Sequence, residues 1–329
     1  MKFDVEEYLS TSNTVRMKNI ITLTLNPALD TYTKVEHLEP EKKLRCIAPI
    51  IDPGGGGVNV ARVIHRLGGK SIAIYTRGGH TGRIFSEMLD EEGISQDPID
   101  IKRNLRENFA VTETSTGNLY RFGLPGPILE KSDYKSIFNK IENISNAEFL
   151  VASGSLCPEA PVDFYAQVAR KAKKNNLKFI LDTSGKAFSG ILEVGAFLIK
   201  PNMEELEDLT GKTAINEKEQ KKLLLEIVNN YPVEAIVLSL GSKGAILASG
   251  NKAKHFPALK VFAQSSIGAG DSLVAGIVYS LSLGKSLEDA VIYGLACGTA
   301  TLKSPGTELL TKKDADLIYQ TLISEKMKA

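Results

Sequence analysis

Apolar residues recur along this chain in two alternating patterns. Short, almost wholly apolar runs at Ile20 to Leu25, 71–76, 148–152, 178–182, 196–200 and 235–240 read as strands buried on both faces. Between them, apolar residues at helical spacing predict helices at about Asn59 to Leu67, where Val60, Val63, Ile64 and Leu67 form the stripe, at 82–92, around 161–174, near 202–209 and at 217–229. This alternation predicts an α/β fold with a mainly parallel central sheet and helices on both faces. Two further helices, 271–283 and 286–302, follow, the second opened by a capping box from Ser286 to Asp289. Segments 31–52 and 104–122 break the pattern, reading as short alternating strands where a compact core would place loops. The polar stretch 1–16 reads as a disordered extension, with Met17 as an alternative start and 17–329 as one domain.

Composition narrows the function classes. A chain of 329 residues can bury one large core, and a net charge of +1 gives no reason to expect nucleic acid. Cys46, Cys157 and Cys297 are too scattered for a disulfide framework or a Cys-x-x-Cys metal site and suit the cytoplasm. No apolar run is long enough for a membrane span, and Asp4, Glu6 and Glu7 do not fit a signal peptide. His37, His65, His80 and His255 lack ligand spacing and read as surface or boundary residues. Gly211-Lys212-Thr213 and Gly69-Lys70-Ser71 imitate the end of a phosphate-binding P-loop, but Leu206 and Ile64 stand where its first glycine is needed. Leu273 likewise breaks a dinucleotide fingerprint begun at Gly268.

Candidate chemistry lies in two glycine-rich turns. Ser266-Ile267-Gly268-Ala269-Gly270-Asp271-Ser272 ends a polar loop and runs directly into a helix, so unpaired N–H groups and the helix dipole favour an anion there. Asp271, on the same turn, could accept a proton from an attacking hydroxyl, or could serve only as a cap. The second turn is Asp52-Pro53-Gly54-Gly55-Gly56-Gly57-Val58-Asn59. Consecutive glycines are entropically costly to order and imply close backbone approach, or else a hinge. Asp30 ends Asn26-Pro27-Ala28-Leu29-Asp30 at a strand's carboxyl edge, where open α/β sheets bind ligands.

These turns, with the run 24–30, Lys200-Pro201-Asn202-Met203-Glu204-Glu205, Ser239-Leu240-Gly241-Ser242-Lys243-Gly244 and the order in which they occur, resemble the ribokinase-like sugar kinases from about Asn19 to Ile323. The resemblance implies a ribokinase-like three-layer sandwich in which 31–52 and 104–122 form a small β-sheet lid. It implies ATP-dependent phosphorylation of fructose 6-phosphate at C1, with tagatose-6-phosphate kinase or 1-phosphofructokinase as alternatives; a non-catalytic sugar-phosphate sensor is the reading from a different class. Asp271 is then the base and Gly268, Ala269 and Gly270 the anion hole. Asp30, Gly54, Gly55, Gly56, Gly57 and Asn59 would hold the sugar, and Ser155, Arg106, Lys43 and Arg45 its phosphate. Relatives with Gly-Gly-Lys-Gly would carry a cation at position 56, which Gly56 removes. Lys200, Asn202, Ser239, Gly241, Gly244 and Thr299 would bind ATP, with Glu205 holding Mg²⁺ through water. Taken alone, Asn202 and Glu205 also read as a capping box, and Lys200 as a strand-end surface lysine. Carbonyls near Ser265, Ile267, Thr301, Ser304 and Gly306 would hold K⁺. A lid-to-lid homodimer is implied, in which Arg45 reaches the neighbour's substrate.

Overall fold

The structure, a computed structural model, describes residues 19–326, so the expected extension 1–16 and the alternative start at Met17 lie outside the described residues. The chain begins with β1 (Ile20–Thr24), β2 (Ala28–Val35), β3 (Ile50–Gly54), α1 (Gly56–Arg66), β4 (Ser71–Gly78), α2 (Gly79–Glu91) and β5 (Ile99–Ile101). It continues through β6 (Arg106–Glu113), β7 (Leu119–Phe122), α3 (Lys131–Glu142), β8 (Phe149–Ser153), α4 (Phe164–Lys174), β9 (Lys178–Asp182) and α5 (Ile191–Val194). Then come β10 (Ala196–Ile199), α6 (Met203–Thr210), α7 (Glu217–Asn230), β11 (Val233–Ser239), β12 (Ala245–Ser249), β13 (Lys252–Phe256), α8 (Ala269–Ser282), α9 (Leu287–Leu302) and α10 (Lys312–Lys326).

Strand side chains alternate into two cores, which is why these runs are apolar at every position. Ile20, Val151, Ile180, Leu198 and Val237 face α1, α8, α9 and α10. Ile21, Leu150, Leu181, Ile199 and Ile236 face α2, α3, α4 and α7. The nine-stranded sheet runs β13-β12-β11-β10-β9-β8-β1-β4-β5. All its pairings are parallel except those of β12, which is antiparallel to β11 and β13. The three-layer sandwich expected from the alternation is present. The β12–β13 hairpin, β5, α3 and α10 are additions that the apolar pattern did not single out.

The lid is a separate sheet, β3-β2-β6-β7, with β2 parallel to β6 and the outer pairs antiparallel. Its strands extend past the segments expected: β2 starts at Ala28 and β3 runs into Gly54, while 36–49 has no regular structure. One face packs Tyr32 and Ala110 against Ile267. On the lid, Ile51, Phe109 and Phe122 remain 48%, 39% and 50% exposed.

Helices α8 and α9 are buried nearly all round and cross with backbone contact. A Cβ at Gly276 would lie 2.7 Å from Cys297 Sγ and 2.8 Å from Gly294 Cα. Since α8 carries Asp271 in its first turn, this crossing fixes that carboxylate relative to the sheet. Gly276→Leu is therefore expected to lower the unfolding free energy by about 1–3 kcal/mol in denaturant titration, the range for overpacking a tight core. A midpoint unchanged within error would contradict the close crossing.

Candidate active site

Strands β1, β8, β9, β10 and β11 all deliver polar residues to the sheet's carboxyl edge: Asn26, Ser155, Asp182, Lys200 and Ser239 follow or end them. Strand order reverses beside β1, which opens a crevice there. The N-termini of α1 and α8 point into it.

The four glycines before and within α1 are set by contact. A Cβ at Gly54 would sit 1.9 Å from Asp30 Oδ2, and one at Gly57 2.6 Å from Leu23 O. One at Gly56 would lie 2.2 Å from Ser153 Oγ and 2.7 Å from that residue's carbonyl carbon. Gly55, the N-cap of α1, has φ 112°, a conformation that side chains other than glycine avoid. Position 56 is thus closed by the end of β8, and a lysine there would require this backbone to move. The hinge reading does not describe a loop held this tightly.

On α8, Gly268 is the left-handed N-cap at φ 74°, and the first intrahelical bond runs from Ser272 N to Gly268 O, 2.9 Å. Of the first-turn amides that precede it, Ala269 N–H donates weakly to Ser266 O at 3.4 Å, and those of Gly270 and Asp271 are available to an anion. A Cβ at Gly270 would meet nothing within 4 Å, so there is room above the turn. Asp271 is half-buried, and Asn59 Nδ2 donates to its Oδ2 at 2.9 Å. Burial, reinforced by the neighbouring Asp182 carboxylate, pushes the Asp271 carboxyl up to about 7, against the pull of Asn59 and Lys200.

Asp182 pairs with Lys200 at 3.0 Å. Lys200 is buried, which corrects its reading as a surface lysine. Burial alone would lower its ammonium, but the Asp182 carboxylate overcomes this and leaves it above its usual range. Asn202 and Glu205 form a reciprocal capping box, with Glu205 N to Asn202 Oδ1 at 2.9 Å and Asn202 N to Glu205 Oε2 at 2.8 Å. Ser239 is tied to the same corner by its N–H to Pro201 O, 2.9 Å. The turn from Gly241 to Gly244 follows it. Thr299 is buried inside α9.

Between the lid and the segments that carry Ile267 and Thr307 lies a pocket of about 220 Å³, lined also by Asp30, Asn108 and Arg121. Asn108 Nδ2 donates to Asp30 Oδ1 at 2.8 Å. Burial raises the Asp30 carboxyl, partly offset by Asn108 and by Arg106 and Arg121. Arg106 is half-buried and contacts only carbonyls, Asn26 O at 3.0 Å and Leu124 O at 3.5 Å, while its Nε has no partner among the described residues. Asn26 Nδ2 in turn approaches Ser155 Oγ at 3.4 Å, so Arg106 and Ser155 both contact Asn26. Lys43 and Arg45 are exposed on 36–49, outside this cluster.

Oxygen donors expected for a monovalent cation come from two adjacent segments. Ser265 Oγ donates to Gly306 O at 2.6 Å, and Thr301 O accepts from Ser304 N at 3.0 Å. Each of these carbonyls keeps a second lone pair. Ile267 lies on the first segment. Among the described residues no three His, Cys, Asp or Glu side chains converge as a metal site.

Behind the glycine turn, Arg62 is 1% exposed. It donates to Glu92 Oε2 at 2.8 Å, Pro53 O at 2.9 Å and Asp52 Oδ1 at 3.0 Å, and Thr307 donates to the other Asp52 oxygen.

Residues 24–314 match the model of the pfkB family carbohydrate kinases. The chain belongs to this family. It is 40% identical over 302 residues to the ATP-dependent 6-phosphofructokinase isozyme 2 of Mycobacterium tuberculosis, covering 92% of this chain and 89% of the relative. It is 37% identical over 283 residues to a 1-phosphofructokinase of Borreliella burgdorferi, covering 86% of this chain and 91% of the relative. The crystal structure of Escherichia coli phosphofructokinase-2 in complex with potassium superposes with a TM-score of 0.89 at 36% identity, covering 93% of this chain and all of that one. As a pfkB-family member, this chain is a carbohydrate kinase, an enzyme that transfers phosphate to an alcohol.

Asn108, Asp182, Arg121, Asn26 and the Arg62 group were not legible in the sequence of this pfkB-family kinase. Asp182, at the end of an apolar strand, carried the one usable signal, since a lone carboxylate at a parallel strand's carboxyl end faces the crevice. A carboxyl that is raised in the folded state costs stability once it ionises. That cost is absent at low pH, grows from about pH 4 to 7, and is full above 7. Asp271→Asn is therefore expected to stabilise the protein at pH 8 by on the order of 2 kcal/mol, the advantage vanishing near pH 4. Equal melting temperatures at pH 8 would show that the carboxyl is not raised.

Proposed function

We propose that this chain transfers the γ-phosphoryl group of ATP to the C1 hydroxyl of fructose 6-phosphate, giving fructose 1,6-bisphosphate and ADP. The observation that carries the reading is Asp271, a carboxyl pushed up to about 7 on the helix turn that also carries the Gly270 amide, outside the intrahelical ladder. The C1 hydroxyl gives its proton to Asp271 while its oxygen attacks the γ-phosphorus and the bond to the β-bridging oxygen breaks. Amides around Gly268, Ala269 and Gly270 meet the charge on the transferred group, and the proton later leaves Asp271 for solvent. Asp30, steadied by Asn108, and the backbone of the glycine turn orient the sugar.

Arg106 favours a sugar phosphate over a free sugar. Its guanidinium is half-buried with carbonyls but no contacting carboxylate, and its planar fork suits a phosphate beside Ser155. ATP lies along Lys200, Asn202, Ser239 and the 241–244 turn, with Thr299 packing from behind. Mg²⁺ would be held through water by Glu205 with Asp182 nearby, and would neutralise the nucleotide's phosphates. The carbonyls of Ser265, Ile267, Thr301, Ser304 and Gly306 would take K⁺. The lid's exposed Ile51, Phe109 and Phe122 suit a second lid, making a homodimer in which Lys43 and Arg45, unattached to their own site, reach the partner's sugar phosphate. Three cysteines without disulfides suit the cytoplasm. The 1-phosphofructokinase reading rests on the similar Borreliella enzyme.

An ADP-release assay across fructose 6-phosphate, fructose 1-phosphate, tagatose 6-phosphate, fructose and ribose separates these readings. Fructose 6-phosphate is expected to give the highest kcat/KM, and Asp271→Asn to lower turnover by at least ~10²-fold while retaining substrate binding. Preference for fructose 1-phosphate, or an active Asp271→Asn, would overturn the assignment. For the shared site, inactive Arg45→Ala and Asp271→Ala homodimers are expected to recover activity on subunit exchange, because each heterodimer holds one complete site. No recovery despite demonstrated exchange would refute it.

A further inference from the structure

Asn59 and Asp271 stand on the first turns of α1 and α8, the two helices whose N-termini meet at the crevice. Asn59 is only 8% exposed, and its amide has chosen a partner: Nδ2 donates to Asp271 Oδ2 at 2.9 Å. A carboxylate has two oxygens that can rotate to accept from several directions. With Oδ2 held by an amide from the neighbouring helix, Oδ1 is the oxygen left for a substrate hydroxyl, and the plane of the carboxylate is fixed. We infer that Asn59, beyond any contact with sugar, is the positioning residue for Asp271: it selects which carboxylate oxygen acts and keeps that carboxylate ionisable in a site that disfavours charge. The inference rests on the reading of Asp271 as the base.

The surroundings make this contact matter. Asp271 faces Asp182 from the end of β9, Asp30 from β2, Lys200 following β10 and Asn59 from α1. Burial and the two carboxylates oppose its ionisation; Lys200 and Asn59 support it. Lys200 is already paired with Asp182, which leaves the Asn59 amide as the supporting group in direct hydrogen-bond contact with Asp271. Hydrogen bonds to an ionised acceptor are stronger than neutral ones, so removing this one shifts the acid's titration upward.

The test compares the parent with Asn59→Ser and Asn59→Leu, one shortened and polar, one of similar size without a donor. In both, the acid limb of log kcat against pH is expected to move up by about one pH unit, which is a tenfold loss of kcat at a pH below both limbs. The Asp271 carboxyl, followed by ¹³C NMR in the sugar-free enzyme, is expected to titrate higher by the same amount. If Asn59 serves the sugar alone, KM for the sugar phosphate rises while the limb and the NMR titration stay in place, and the inference is wrong. Should Asp271→Asn remain active, the base reading fails by itself, whereas an unmoved carboxyl titration in the Asn59 variants refutes the contact whatever Asp271 does. If Asn59→Leu does not fold, Asn59→Ser alone decides.

Discussion

Everything at this site depends on two helix N-termini brought against the carboxyl edge of one sheet at van der Waals distance. Helix α1 can approach only because Gly56 and Gly57 leave no Cβ to meet Ser153 and Leu23, and Gly54 clears the Asp30 carboxylate. Helix α8 is held from the far side by the Gly276–Gly294 crossing with α9. Between them the dipoles of two helices converge on a space that strands β1 and β8 leave open. Such an arrangement repels cations and attracts a phosphoryl group before any side chain is considered. In this chain the same close approach leaves no room for a side chain at position 56.

The convergence creates an electrostatic problem, since Asp30, Asp182 and Asp271 are gathered in a partly dehydrated crevice. Their repulsion is met unevenly. Asp182 has Lys200 at 3.0 Å, and Asp30 has the Asn108 amide at 2.8 Å with arginines nearby. Asp271 has one amide and no contacting cation, so it is the carboxyl pushed to about 7. A base is most effective when its titration lies near the working pH, so uneven compensation supports the proposal that Asp271, of the three acids, takes that role.

The layers, the parallel sheet and the two glycine turns were legible because they are patterns of backbone need: apolar alternation, and glycine where no side chain fits. The lid was legible as a departure from that pattern, though its strand ends were not, since β2 and β3 borrow Ala28 and Gly54 from segments that also serve the site. Partners set by long-range folding left no trace. Asn59 meets Asp271 across 212 positions and Thr307 meets Asp52 across 255, and no local spacing encodes such pairs. Lys200 shows the same limit, since a lysine after an apolar strand is ordinarily solvated, and only the burial of β9 beside β10 puts Asp182 against it.

Arg62 shows how the scaffold joins these parts. A guanidinium this deeply buried is tolerated because Glu92, Asp52 and the Pro53 carbonyl satisfy its donors, and removing one partner would leave charge uncompensated. Pro53 begins the glycine turn, Asp52 lies opposite Asp30 in the lid register, and Thr307 belongs to the loop whose Gly306 carbonyl accepts from Ser265. One buried cation therefore ties the glycine turn, the lid's root and the loop beside α8. Strands β6 and β7 and the segment 36–49 are not held by it. The glycine turn is thus continuous with the core, whereas the segment 36–49, on which Lys43 and Arg45 stand exposed, is not anchored through this group.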